Sequence, residues 1–176
     1  MFHDLLAIQN KALVLDFYKS FDNRRLQDGL SLLSPALIAH MAGTHYPLSK
    51  AEFAQMGTAV YNAFPDGRHS FSQVIAHRDT VVTSGTFTGT HLGPFQGAPA
   101  TGKPVCFAVM HIDRVSHGQI VEHWGQGDSL TLVQQLGIKL VPGPSLLLKI
   151  AIKAGKRLQC QTFERLSKIT QPDYHR

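Results

Sequence analysis

The sequence has little of the chemistry that usually marks a function. Only two cysteines occur in 176 residues, Cys106 and Cys160, with neither metal-ligand spacing nor a disulfide framework. Cys106 lies in a strand pattern and reads as a small buried hydrophobe. No run of about 18 apolar residues exists, which excludes a spanning helix. The start, MFHDLLAIQNK, has no basic segment followed by an apolar core, so it is a poor signal peptide and a cytoplasmic protein is expected. There is no phosphate loop, no serine nucleophile elbow and no dinucleotide fingerprint. Charge is sparse at 16%, and hydrophobic residues make up 43%, a globular rather than a disordered composition.

The net charge of +5 is unevenly placed. Residues 1–137 carry nine Lys/Arg against ten Asp/Glu, whereas residues 138–176 carry eight against two. The basic excess therefore belongs to the C-terminal tail, and nothing in the rest suggests nucleic acid. Two units are expected: a domain over 1–137 and a basic, helical tail over 138–176. Within the tail, Lys149, Lys153 and Lys156 share one helical face and Leu147, Ile150 and Leu158 the other. Such a helix suits its own domain, a dimer partner, an acidic partner or a membrane surface. Phe163 and Tyr174 are its only aromatics, too few for base stacking.

Along the domain, apolar spacing predicts a helix over Ile8–Phe21 and a short one over Leu26–Leu33, broken at Ser34-Pro35. Ala36–Met41 is a short apolar piece. Lys50–Phe64 reads as a helix with Ser49 as N-cap and Glu52 completing a capping box. Then the period becomes strand-like: Ser70–His77, Thr80–His91, Val105–Val115 and Gln119–Trp124, the last two joined by a His117-Gly118 turn. Helical spacing returns from Asp128 to Leu136. Helices followed by an antiparallel meander predict an α+β domain with helices on one face of a curved sheet.

Five polar or ionisable residues fall in or beside the apolar strands: His91, His111, Glu122, His123 and Asp128. Such groups are costly to bury unless paired or used, which predicts a pocket.

Three stretches together resemble the SnoaL-like polyketide cyclase family, within the nuclear-transport-factor-2-like superfamily. They are Ala63-Phe64-Pro65-Asp66; Gly89-Thr90-His91-Leu92-Gly93-Pro94-Phe95 with Pro99-Ala100-Thr101-Gly102-Lys103; and Gly118-Gln119-Ile120-Val121-Glu122-His123-Trp124 with Asp128, Leu132, Gln135, Leu136 and Gly137. The resemblance runs from about Asn10 to Gly137. It implies a cone-shaped sheet packed against N-terminal helices, around a deep and mostly apolar pocket. It implies a homodimer or larger oligomer. It also implies ring closure by intramolecular aldol condensation, with an acidic residue as acid/base and no cofactor or metal.

Aldol closure needs a base beside a carbonyl, a stabiliser for the enolate and a donor for the new alkoxide. Asp128, just past the last strand, is the first candidate base; it is equally a favoured N-cap for the next helix. Glu122 is the rival carboxylate, alternating onto one face with Ile120 and Trp124; it could instead pair with Arg114 or face solvent. His111 could donate to a substrate carbonyl or be a satisfied core histidine. The family resemblance places His40 near the pocket mouth. His91 is a lid contact or a loop-structural residue. Trp124, Phe64, Phe107 and Met110, with Met41 and Phe87, suit a pocket wall or an ordinary core. Gly125-Gln126-Gly127 adds no second acid. No two-His-plus-carboxylate spacing falls on one element, so no metal is expected, although His111 and Asp113 share a strand face. The expectation is a cofactor-independent cyclase or isomerase acting on a small apolar carbonyl or ester compound. The alternative is a non-catalytic ligand-binding or scaffolding module whose basic tail docks a partner or membrane.

Overall fold

A computed structural model describes residues 2–138 as a continuous chain, and beyond them only positions 143 and 145. The basic tail expected over 138–176 thus lies almost wholly outside the described residues. The order of elements is α1 (Phe2–Asp22), α2 (Leu26–Ser31), β1 (Leu33–Met41), α3 (Lys50–Ala63), β2 (Arg68–His77), β3 (Thr80–Thr90), β4 (Pro104–Ser116), β5 (Gln119–Gly127) and α4 (Ser129–Leu136). The expected α+β architecture is present, with a curved five-stranded sheet packed against the N-terminal helices.

The sheet order is β1-β5-β4-β3-β2. The Ala36–Met41 piece is a correction to the plain meander: it is part of an edge strand, parallel to β5. An edge position tolerates Pro35, whose missing N–H costs no central ladder bond. His117 and Gly118 both take positive φ, at 50° and 72°, as a two-residue hairpin turn with the right twist requires. Two further irregularities matter. Between Arg114/Glu122 and Val115/Ile120 the ladder skips Val121, and between Phe71/Gly85 and Gln73/Ser84 it skips Ser72. Each extra residue is a β-bulge, which reverses the in–out alternation of the strand beyond it.

The core lies between helices and sheet. Val14, Phe17, Tyr18 and Phe21 of α1 pack with Phe53 of α3 and with Leu33, Val81, Val115 and Ile120 of the sheet. The capping box forms as expected: the Ser49 side chain accepts from the Glu52 N–H, and Glu52 accepts from the Ser49 N–H. Arg24, at φ 62°, joins the α1–α2 turn to the α3–β2 turn, donating to the carbonyls of Phe64, Pro65 and Gly67 while lying 4.4 Å over the Tyr61 ring. The first two family-like stretches meet physically. Asp66 accepts from the Thr90 N–H at 2.6 Å and from its hydroxyl at 2.7 Å, and these bonds hold its carboxyl below the usual range.

Candidate active site

A cavity of about 380 Å³ opens inside this shell, a size that suits a small organic ligand. Its walls are mostly aromatic and aliphatic: Phe17, Phe53, Tyr61, Phe64, Phe87 and Phe107 among them. Three imidazoles, His69, His111 and His123, reach it from three different strands.

Each imidazole has a distinct setting. His123 is 2% exposed, and its Nδ1 lies 2.8 Å from Oδ1 of the fully buried Asp113. Asp113 Oδ2 accepts a second bond from the Tyr18 hydroxyl at 3.0 Å. Burial, and then the Asp113 charge, push the Tyr18 phenol well above its ordinary value, so it stays protonated and donating. With Nδ1 committed to a carboxylate, His123 presents Nε2 as its free nitrogen. Gly125 keeps the space beside that atom: a Cβ there would stand 2.5 Å from Met41 Cε and 3.0 Å from His123 Nε2.

His111 lies 5.5 Å from His123, ring centre to ring centre, and neither of its nitrogens has a hydrogen-bond partner. Burial pushes its pKa well below the ordinary histidine value, and the neighbouring His123 and His69 push it the same way. It is a neutral imidazole with one donor and one acceptor to offer a ligand. His69 is held by Asp22, Nδ1 to Oδ1 at 2.8 Å, while Asp22 also accepts from the Tyr61 hydroxyl at 2.6 Å. Among the described residues, no group of three or more His, Cys, Asp or Glu is arranged to hold a metal ion.

Several residues expected at the site stand elsewhere. Asp128 is exposed and caps α4, accepting from the Thr131 N–H at 2.9 Å and hydroxyl at 2.6 Å; those bonds lower its pKa. It does not line the cavity. A low pKa and full hydration suit a helix cap, not a base for a carbon acid. Glu122 points to the outer face, where it accepts from Arg114 Nη2 at 2.7 Å and lies 3.2 Å from His40 Nε2. The Val121 bulge is the reason: it puts Ile120 and His123 inward and Glu122 and Trp124 outward, so Glu122 does not share a face with Ile120. His40 stacks on Trp124 at 4.9 Å, also outside the cavity. Met110 alternates outward and is 51% exposed. His91 is buried beneath the Gly/Pro loop, its Nδ1 3.1 Å from the Thr101 hydroxyl, and it does not line the cavity. His111, Phe64, Phe107, Met41 and Phe87 do line it.

Sequence reasoning missed Asp113, Tyr18, His69 and Asp22 as site residues, and it singled out His123 only as a polar residue in an apolar strand, without a role at the site. The one available signal was Asp113 on the same strand face as His111.

Comparisons with known proteins show the family and the fold. The family model for SnoaL-like polyketide cyclases matches residues 12–136. The chain belongs to that family. Among solved structures it is similar to AclR of Streptomyces galilaeus, provisionally assigned as a hydroxylase, at 26% identity and TM-score 0.70, covering 89% of this chain and 98% of that one. It is also similar to IdmH of Streptomyces antibioticus, provisionally assigned as a polyketide cyclase, at 27% identity and TM-score 0.66, covering 73% and 99%. A SnoaL-like protein from Jannaschia sp. CCS1 shares the fold at 18% identity and TM-score 0.70, covering 77% and 96%. No curated protein matches the sequence. Among the described residues of this SnoaL-like chain, no helix is long and apolar enough to cross a membrane.

Proposed function

We propose that this SnoaL-like protein is a cofactor-independent cyclase or isomerase, acting on a small apolar carbonyl or ester compound by general acid/base catalysis. The observation that carries the reading is the buried Asp113–His123 pair beside the unpartnered His111 in an apolar cavity. Asp113 orients the ring and stabilises the imidazolium formed when His123 Nε2 takes a proton from carbon. His111, neutral and dry, donates to the carbonyl oxygen as negative charge develops there. A neutral imidazole is a good donor to an enolate because it does not simply surrender its proton. The base of this reading is therefore His123, in place of Asp128 or Glu122.

The test is α-proton exchange in a plain ketone that fits the cavity. 2-Tetralone in D₂O should lose its α-protons faster with the protein than in buffer, read by NMR. His123→Gln should reduce the acceleration by about 10²-fold or more, the usual worth of a positioned base. Wild-type protein no faster than buffer would end the reading.

The same reading takes the protein as a cytoplasmic homodimer. The outer face of the sheet supports the homodimer, since Ile75, Val82, Ile112 and Trp124 form one cross-strand row, with Ile75 61% and Ile112 38% exposed. Ile112→Glu should turn a dimer into a monomer in sedimentation; a wild-type monomer would remove this part.

A further inference from the structure

His69 and Asp22 are not used in the chemistry above, yet they are built as carefully as the Asp113–His123 pair. Asp22, the last residue of α1, accepts from three donors: His69 Nδ1 at 2.8 Å, the His69 backbone N–H at 2.9 Å and the Tyr61 hydroxyl at 2.6 Å. Burial would raise the Asp22 pKa, but the His69 and Tyr61 hydrogen bonds outweigh it and hold the carboxyl below its usual range. An anionic Asp22 on Nδ1 fixes the ring and leaves Nε2 as the second nitrogen. The ring itself packs among cavity-lining rings, 5.7 Å from His111, 5.2 Å from Phe87 and 5.1 Å from Tyr18.

The far side of His69 is equally informative. A second recess of about 310 Å³ lies there, lined by the apolar Leu15 and Phe71 and by the charged or polar Lys19, Asp22, Asn23 and Arg68, and it shares only Tyr18 and His69 with the main cavity. His69 thus stands in the partition between an apolar chamber and a recess that carries the charged groups of Lys19, Asp22 and Arg68. The titratable or charged groups that face it are Asp22 and Lys19 of α1, Tyr18 of α1, Tyr61 of α3, His111 of β4, and Arg68 on its own strand.

We propose that His69, held by Asp22, is a second acid/base group of the cavity, which protonates the oxygen that becomes an alkoxide and is reprotonated from the second recess. The proposal rests on the cyclase/isomerase reading and deepens it. His123 Nε2 takes the α-carbon proton, and the electron pair left on carbon forms the new bond to the second carbonyl carbon. The π pair of that carbonyl moves to its oxygen, which takes the Nε2 proton of the His69 imidazolium. One proton enters on His123 and one leaves from His69. The cycle closes when His123 returns its proton to water and His69 takes one from water in the recess, with no net change. Separating the two groups on opposite sides of His111 keeps the base from quenching the acid.

Two measurements on the full chain test this. The first needs no turnover: dissociation constants for 2-naphthol, whose hydroxyl oxygen can accept a hydrogen bond from the His69 imidazolium, and for naphthalene, which reports only an intact cavity. His69→Gln should leave naphthalene within about twofold but weaken 2-naphthol by about tenfold, the scale of one charge-assisted hydrogen bond. Asp22→Asn should move 2-naphthol in the same direction, which covers the case in which His69→Gln fails to fold. An unchanged preference in either folded variant overturns the proposal, as does a wild-type protein that does not prefer 2-naphthol. The second measurement uses 2-methyl-2-(3-oxobutyl)cyclohexane-1,3-dione, which closes by intramolecular aldol addition. His69→Gln should lower ring closure about 10²-fold, and by at least about tenfold more than it lowers 2-tetralone exchange. Closure at wild-type rate overturns the proposal. Absent wild-type exchange with a His69-dependent naphthol preference would instead sink the cyclase reading and leave His69 as an anion-facing donor.

Discussion

The two faces of one sheet carry nearly the same side-chain chemistry and different physics. On the inner face, Asp113 and His123 stand 2.8 Å apart at 0% and 2% side-chain exposure. On the outer face, Glu122 and His40 stand 3.2 Å apart at 19% and 34%, with Arg114 as a third partner. All the members but His40 come from β4 and β5, and neighbours in sequence go to opposite faces: Asp113 and Arg114, Glu122 and His123. Inside, water is excluded, so each polar bond organises a site and each loss is felt. Outside, water and salt screen the pair, and it contributes little. An acid next to a histidine is therefore not a signature of a site; an acid next to a histidine in a dry cavity is.

The sharpest way to break this contrast is Asp113→Ala. It leaves His123 and the Tyr18 hydroxyl without their acceptor, and removing one partner of a buried pair costs about 3–5 kcal/mol. Urea unfolding should show that loss, together with abolished ketone exchange. A loss below about 1 kcal/mol would place Asp113 with the surface pairs. Next in size is the pH response of His111. Its folded pKa lies below the unfolded value, so the unfolded chain binds a proton first as pH falls through about 6.5. Stability is full above that pH and declines below it until the folded pKa is reached. His111→Gln should flatten this decline in Tm between pH 7 and 5; an identical slope would contradict a buried neutral ring.

A smaller effect is expected at Asp128→Ala, which removes a helix cap and should lower Tm modestly while ketone exchange persists. Abolished exchange with unchanged stability would restore Asp128 as the base. The smallest is Glu122→Gln on the outer face, within about 1 kcal/mol and fading further in high salt. Exchange should stay within about twofold of wild type; a large loss would mean the outer face communicates with the cavity.

Much of the framework was legible in sequence. The Ser49/Glu52 capping box, the His117-Gly118 turn and the change from helical to strand period each rest on local chemistry, and each stands where it was read. The Asp128 alternative as a cap was legible for the same reason, since a cap needs only the next three residues. The Arg114–Glu122 pair was weighed as one option and forms. Missing were the partners brought from afar: Tyr18 reaches Asp113 across 95 positions, and His69 reaches Asp22 across 47. Periodicity carries no information about such pairs.

Sequence by itself determined most of the elements, their order and the family, because backbone preference, capping and alternation act over a few residues; the edge strand β1 needed its pairing with β5 to be seen. Tertiary structure decided which polar residues face the cavity. Strict alternation and a regular hairpin ladder would set Asp113 opposite Glu122. The single unpaired residue at Val121 shifts the register, so that Asp113 faces His123 and Arg114 faces Glu122. That bulge is chosen by the packing of the whole sheet, which buries Ile120 and His123 together and sends two opposite charges outward to water.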